Sequence, residues 1–377
     1  MLGRIAGLLV ALCVSSALVQ AAPAGLEVSV ARAAAALHKE KLGEGIYLFR
    51  APSDLEQWTS TNSVVIVDDD EVVVFDSCTR AVTARAVIAE IRKLTPKPVR
   101  LLINSHWHQD HWSGNGEYTK AFPGLRIVAS AQTRAFMAHM GPSFFADETA
   151  SGVNQQRDAL AAAVKTGTLP DGSALTAEER SRREQELAIA EQFSAEVATL
   201  PRVLPNLVYT GEMTIWSGSR ELRLLSVTGD ATASTVLYLP GDKLLVTGDA
   251  LVSPEDGVGP PPWTTTTYDI SRWLDSLRRL DTLDADIIVP GQGPAQHDKA
   301  YLRRTIELFA AVIDQVHAAL DRGLVKLADV QGAVDVDRIG LQYTPGAAKP
   351  DAAFHQWVGA LSKKAMQESL DGAANVK

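Results

Sequence analysis

Residues Asn104 to His111 read Asn-Ser-His-Trp-His-Gln-Asp-His, so that His106, His108 and His111 fall within six residues beside Asp110. Histidines that only fill a core do not gather in this way, because each buried ring needs its own hydrogen-bond partner. His106 and His108, two apart in an extended loop, point to one side and can set two imidazoles on one ion. Asp110 and His111 follow where the loop turns and can hold a second ion beside the first. Asp110 is also the candidate catalytic carboxylate. Neutral imidazole and carboxylate suit zinc and similar divalent ions. Water on such an ion has its pKa lowered towards ~7, which makes hydroxide available at neutral pH, and two ions ~3.5–4 Å apart can also polarise a carbonyl.

The elements around this loop can be read from hydrophobic periodicity. Ile46–Phe49, Ser63–Val67 and Val72–Phe75 are β-branched and aromatic runs of strand length, with Asp68-Asp69-Asp70 as a turn. Arg80–Leu94 has helical spacing and stops before Pro96, and Val99–Ile103 is the strand that enters the His-rich loop. Leu125–Ala129 and Thr133–Met140 read as strand and helix. Ala159–Val164 and Glu178–Val197 are helical, the second opened by a Thr176-x-x-Glu179 capping box. Strands return at Glu212–Trp216, Leu222–Val227, Thr235–Leu239, Leu244–Thr247 and Ile287–Val289. Helix is expected over Asp269–Leu283 and through most of the chain after Asp298. Two strand-rich halves separated by a helical insert predict two packed sheets with helices outside.

With these residues in place the chain resembles the metallo-β-lactamase-fold hydrolases over roughly residues 45–300. The matching features are Val73-Val74-Phe75-Asp76, the H-x-H-x-D-H loop, Thr247-Gly248-Asp249 and Val289-Pro290-Gly291. The resemblance implies an α+β fold, a four-layer αββα sandwich, with a helical insert and C-terminal helices. It makes His106 and His108 ligands of a first metal, Asp110 and His111 ligands of a second, and Asp249 the carboxylate bridging both. Asp76 matches a buried aspartate that supports the ligand loop. Two positions depart from the family pattern. Asp230, in Gly229-Asp230-Ala231-Thr232, stands where a third first-site histidine is expected, and Gln292, in Pro290-Gly291-Gln292-Gly293, replaces the last histidine.

The implied set is three histidines, three carboxylates and one amide. It is richer in oxygen than the family's usual five His and two Asp, so one or two zinc ions, manganese or another hard divalent ion, or a single filled position all stay open. His297 is a conceivable substitute ligand, although a surface role suits its place at a helix start. His38, His317 and His355 sit in helical contexts, and His139 is placed to meet a helix C-terminus. Cys78 reads as a small residue near the site edge. Trp107 and Trp112 flank the ligands, and the stiff loop from Gly257 to Trp263 is a possible substrate wall.

Met1–Arg4, the apolar run Ile5–Val19 and the small residues around Ala21 have the layout of a cleaved secretory signal over residues 1–21. Residues 22–300 then form the catalytic domain, with the insert at about 150–200, and 301–377 a helical extension. The expected location is the periplasm or outside the cell. The chain carries 36 Lys and Arg against 45 Asp and Glu, net −9, without a basic block. That balance disfavours nucleic acid, whose binding rests on phosphate neutralisation, and no other run has membrane-spanning length. The expected partner is a small molecule. Two readings remain: a hydrolase attacking an ester, lactone, amide or β-lactam carbonyl, with thioester and sulfate-ester hydrolysis as competing assignments within the family, and a degenerate relative that binds a ligand without turnover.

Overall fold

Apolar runs without polar alternation belong to strands buried on both faces, and the computed structural model shows this in both halves of the chain. It describes residues 28–52, 60–139, 150–169, 172–197, 199–253, 269–343, 350 and 352–374. The expected signal segment and the Gly257–Trp263 loop lie outside the described residues.

The first sheet orders its seven strands as β1 (His38–Gly43), β2 (Ile46–Arg50), β3 (Asn62–Val67), β4 (Val72–Phe75), β5 (Val99–Ile103), β6 (Arg126–Ser130) and β7 (Leu207–Tyr209). The first four strands pair antiparallel, and β4 to β7 pair parallel. The second sheet has five strands. Of these, β8 (Glu212–Ser217), β9 (Arg220–Val227), β10 (Ser234–Leu239) and β11 (Leu244–Gly248) are antiparallel, and β12 (Ile287–Pro290) joins β11 in parallel.

Period-two alternation then assigns the layers. Val64, Ile66, Val73 and Phe75 meet Leu224, Leu237, Leu239 and Val246 between the sheets. Val65, Val72 and Val74 face outward onto the helices α1 (Val30–Ala36) and α2 (Ala81–Leu94). Val236, Tyr238 and Leu245 face the other way, onto α7 (Ile270–Asp281) and α8 (Ala300–Asp321). The result is the αββα sandwich. Two short helices, α3 (Asn115–Ala121) and α4 (Ala131–His139), follow the ligand loop, and α5 (Ala150–Thr166) opens the insert. On the far side α9 (Leu327–Gly332), α10 (Val336–Tyr343) and α11 (Ala352–Ala374) share one apolar cluster with the second sheet, through Val330, Ile339, Trp357 and Leu361. Among the described residues, no helix is long and apolar enough to cross a membrane.

His38 corrects a sequence expectation. It opens the polar edge strand β1 rather than lying in a helix, because α1 stops after seven residues and the chain then pairs with β2. An edge strand rich in Lys and Glu carries little apolar periodicity, so β1 had no signal to read.

The insert is built from α5 and α6 (Ala177–Val197). The capping box forms: Thr176 N donates to Glu179 Oε2 at 2.8 Å, and Glu179 N to Thr176 Oγ1 at 3.2 Å. Two contacts fix the insert to the sandwich. Gln192 holds the Val28 backbone in both directions. Arg80, fully buried, forks onto Glu196 at 2.8 and 3.2 Å and lies 5.2 Å over the Phe193 ring. Removing one partner of a buried pair leaves a charge that water cannot reach. Glu196→Ala is therefore expected to cost about 3 kcal/mol in urea unfolding, and a loss below ~1 kcal/mol would move the anchor elsewhere.

Candidate metal centre

The chain reaches this site at five strand ends. After β4, Asp76 takes a left-handed φ of 60°, a conformation aspartate tolerates better than most residues. Its Oδ1 accepts from Ser105 N at 2.7 Å and its Oδ2 lies 2.7 Å from His111 Nδ1. The loop after β5 is thus pinned at both ends by one buried carboxylate. Ser105 Oγ sits 3.0 Å from His106 Nδ1 and 3.2 Å from His111 Nδ1, which leaves both Nε2 atoms facing the site. Asp249 follows β11, where a Cβ on Gly291 would fall 1.9 Å from Asp249 Oδ1. Only glycine lets the turn after β12 come so close. Asp230 lies in the turn before β10.

These turns bring the expected residues together in two overlapping groups. One ligand atom each from His106, His108, Asp230 and Asp249 lies within 4.8 Å of the others, and the same holds for Asp110, His111 and Asp249. His108 Nδ1 is 3.0 Å from Asp230 Oδ2, and His106 Nε2 is 3.9 Å from both Asp230 Oδ1 and Asp249 Oδ2. His111 Nε2 is 3.1 Å from Asp110 Oδ2 and 3.3 Å from Asp249 Oδ2. Gln292 lies against the second group, where its Nε2 donates to Asp110 Oδ2 at 3.0 Å and to Asp249 Oδ2 at 3.4 Å. Trp112 is buried and donates to the Trp107 carbonyl, and the Trp107 ring meets His108 edge-on at 4.2 Å.

Other candidates stand apart. His297 is exposed and lies 3.1 Å from Glu40 Oε1, and His355 lies 3.4 Å from Asp337. Cys78 is buried in the apolar layer under α2, outside both groups. Two polar residues carried no sequence signal. Thr61 donates to Asp110 Oδ2 at 2.9 Å, and Asn62 ties β3 to the Gln292 turn through Pro290 and Gly293 carbonyls. Only the antiparallel bridge between Thr61 and Gln292 brings them there.

The charges fit a cation. His106 Nε2 and Asp249 Oδ1 are buried and find no hydrogen-bond partner among the described residues. A buried imidazole nitrogen without a hydrogen-bond partner, 3.9 Å from an Asp230 and an Asp249 oxygen, is costly unless an ion takes it up. Burial, reinforced by the neighbouring rings of His111 and His108, holds the His106 pKa well below its ordinary value, so the ring is a neutral donor. Burial pushes Asp249 up to about 7. Burial opposes charge on His111 too, but Asp110, Asp249 and Asp76 outweigh it and raise its pKa well above the ordinary value.

Without an ion the cluster therefore retains protons at neutral pH, and a cation must displace them. Metal uptake near pH 7 is expected to release protons, and affinity to climb as pH rises through about 7, where Asp249 ionises. Calorimetric titration in buffers of different ionisation enthalpy measures the release. A heat independent of buffer would contradict it.

Two sheets flanked by helices, with histidines and carboxylates converging at strand ends, define a candidate metal-binding site. The family model of the metallo-beta-lactamase superfamily matches residues 57–292, and the chain belongs to that superfamily. A linear primary-alkylsulfatase from Pseudomonas sp. is 23% identical over 257 residues, covering 67% of this chain and 46% of that protein. Among solved structures, a stereoselective inverting sec-alkylsulfatase from Pseudomonas sp. aligns with a TM-score of 0.56 at 16% identity, over 89% of this chain and 50% of that one. A metallo-beta-lactamase from Pontibacter korlensis aligns with a TM-score of 0.49 at 17% identity, over 73% of this chain and 99% of that one. The chain spans about half the length of the two alkylsulfatases.

Proposed function

We propose that this superfamily member is an exported, metal-dependent hydrolase of a small molecule with an ester, lactone, amide or β-lactam carbonyl. The observation that carries the reading is the convergence of His106, His108, Asp230 and Asp249, with Asp110 and His111 alongside. Zinc or manganese suits these donors, and a bound ion would supply Lewis acidity and an acidified water. The chain's own residues do the rest. Burial works to raise the Asp110 pKa, but His111 holds the carboxyl well below its usual range. It stays ionised at the rim, where a carboxylate oxygen can orient a water by accepting its hydrogen bond. Asp76 fixes the ring of His111 through Nδ1. Trp107 and Trp112 keep bulk water from one side.

Asp110, Asp230 and Asp249 bring three negative charges, which one divalent ion and a protonated His111 balance, so charge alone does not choose between a neutral and an anionic substrate. An alkyl sulfate ester is the second reading, favoured by the likeness to the two alkylsulfatases.

The test is hydrolysis of p-nitrophenyl acetate, nitrocefin and dodecyl sulfate by the protein loaded with zinc or manganese. Turnover of p-nitrophenyl acetate or nitrocefin, lost in His106→Ala, supports the first reading, and turnover of dodecyl sulfate alone supports the second. Bound metal without turnover on any substrate points to the degenerate relative. Export is tested by mass spectrometry of the protein from its native envelope, with a mature N-terminus expected at or near Ala22. Intact Met1 on cytoplasmic protein would reject it.

A further inference from the structure

We infer that this chain holds a single ion, in the His106–His108–Asp230–Asp249 group, and that Thr61 and Gln292 fill the second position of the superfamily's site with hydrogen bonds. The inference rests on the metal-binding part of the proposed function, not on turnover.

The two groups differ in what their atoms already do. In each, one imidazole nitrogen is buried with no hydrogen-bond partner among the described residues, His106 Nε2 in the first and His111 Nε2 in the second, and it is the carboxylates that differ. Two neutral imidazoles and two carboxylates also match the charge of one divalent cation, so filling that group leaves no surplus. In the second, Asp110 Oδ2 accepts from Thr61 Oγ1 at 2.9 Å and Gln292 Nε2 at 3.0 Å, and lies 3.1 Å from His111 Nε2. Asp249 Oδ2 takes the other proton of the Gln292 amide at 3.4 Å and lies 3.3 Å from His111 Nε2.

An amide set between two carboxylates is oriented by them. Its N–H groups donate, and its oxygen is turned away, since an acceptor facing two acceptors would be repelled. Gln292 thus presents donors where a ligand would have to present a lone pair. An ion entering there would have to break the Thr61 and Gln292 hydrogen bonds, and would gain at best a carboxamide oxygen, a weak zinc donor. Gln292 has little freedom to leave. It is 5% exposed, its carbonyl accepts from Ser253 N, and its neighbours Pro290 and Gly293 are held by Asn62. The remaining group holds four protein donors. An ion with six positions, of the manganese class, keeps two of them open to water or substrate, whereas four-coordinate zinc would be enclosed.

The experiment counts ions. Protein stripped with a chelator is dialysed against Mn2+ or Zn2+, freed of unbound ion, and its metal content measured by plasma mass spectrometry, with circular dichroism confirming the fold of each variant. One ion per chain is expected. His106→Ala should hold none, and Asp110→Asn, nearly isosteric, should still hold one because Asp110 is no ligand. Thr61→Val combined with Gln292→His should hold two. Two ions per wild-type chain, or loss of an ion in Asp110→Asn, would overturn the inference. No ion in the wild type would overturn it together with the metal-dependent reading. One ion without turnover would leave it standing while the hydrolase reading fails.

Discussion

Metal content and hydrolysis both collapse when His106 is replaced by alanine: that is the expected result with the largest effect. His106 is wholly buried, its Nδ1 is engaged by Ser105, and its Nε2 faces Asp230 and Asp249. Alanine removes a neutral nitrogen donor and leaves two carboxylates facing each other across the space it vacates. Losing a partner that only orients a ligand already costs ~10–100-fold in metal affinity, so losing the ligand itself should exceed about 100-fold. His108→Ala should behave alike, since its Nδ1 lies 3.0 Å from Asp230 Oδ2. Equilibrium dialysis gives the affinity and a chromogenic ester gives the rate. Both variants retaining wild-type metal content and turnover would show that the His-rich loop is not the site.

The second large effect is a gain. Changing Asp230 and Gln292 together to histidine supplies nitrogen donors where the chain has a carboxylate and an amide. Zinc prefers nitrogen to an amide oxygen. The donor set then has two negative charges instead of three, so the expected gain rests on the two added nitrogen donors and not on charge. The double variant is expected to bind two zinc ions per chain, with esterase or β-lactamase activity in zinc rising or appearing. Manganese should lose ground as the preferred ion, because the site gives up hard oxygen donors. Should the native site be tuned to its own single ion, the activity with manganese falls as the zinc count rises. A double variant with unchanged metal count, affinity and activity would show that neither position faces the metal. Asp230 lies 3.0 Å from His108 and Gln292 lies 3.0 Å from Asp110, which is why a response is expected at both.

The strongly apolar strands were legible because burial on both faces leaves runs such as Val72–Phe75 and Leu244–Val246 no polar interruption. The elements that escaped have reasons of another kind. β1 is polar because it is an edge, and β7 is three residues long, so neither carries a periodic signal. Helix α3 begins at Asn115 in a Gly-rich turn that the ligand loop imposes.

Within the centre, sequence alone determined the ligand types and half of their grouping. His106, His108, Asp110 and His111 are adjacent in the chain, so their meeting is a local matter of loop geometry. Family resemblance added Asp76, Asp230, Asp249 and Gln292 at the right strand ends. What tertiary structure alone decided is which atom of each residue faces which neighbour. Asp76 reaches the ring of His111 across 35 positions, and Gln292 reaches Asp110 across 182. Thr61 enters only because β3 is bridged to the turn after β12. Such contacts join chain segments whose separation follows from how two sheets pack face to face. A one-dimensional pattern records the period of a strand, but not which strand end will lie opposite another. The donor types were therefore written in the chain, while the asymmetry between an open ion position and one closed by hydrogen bonds arose only when the sheets came together.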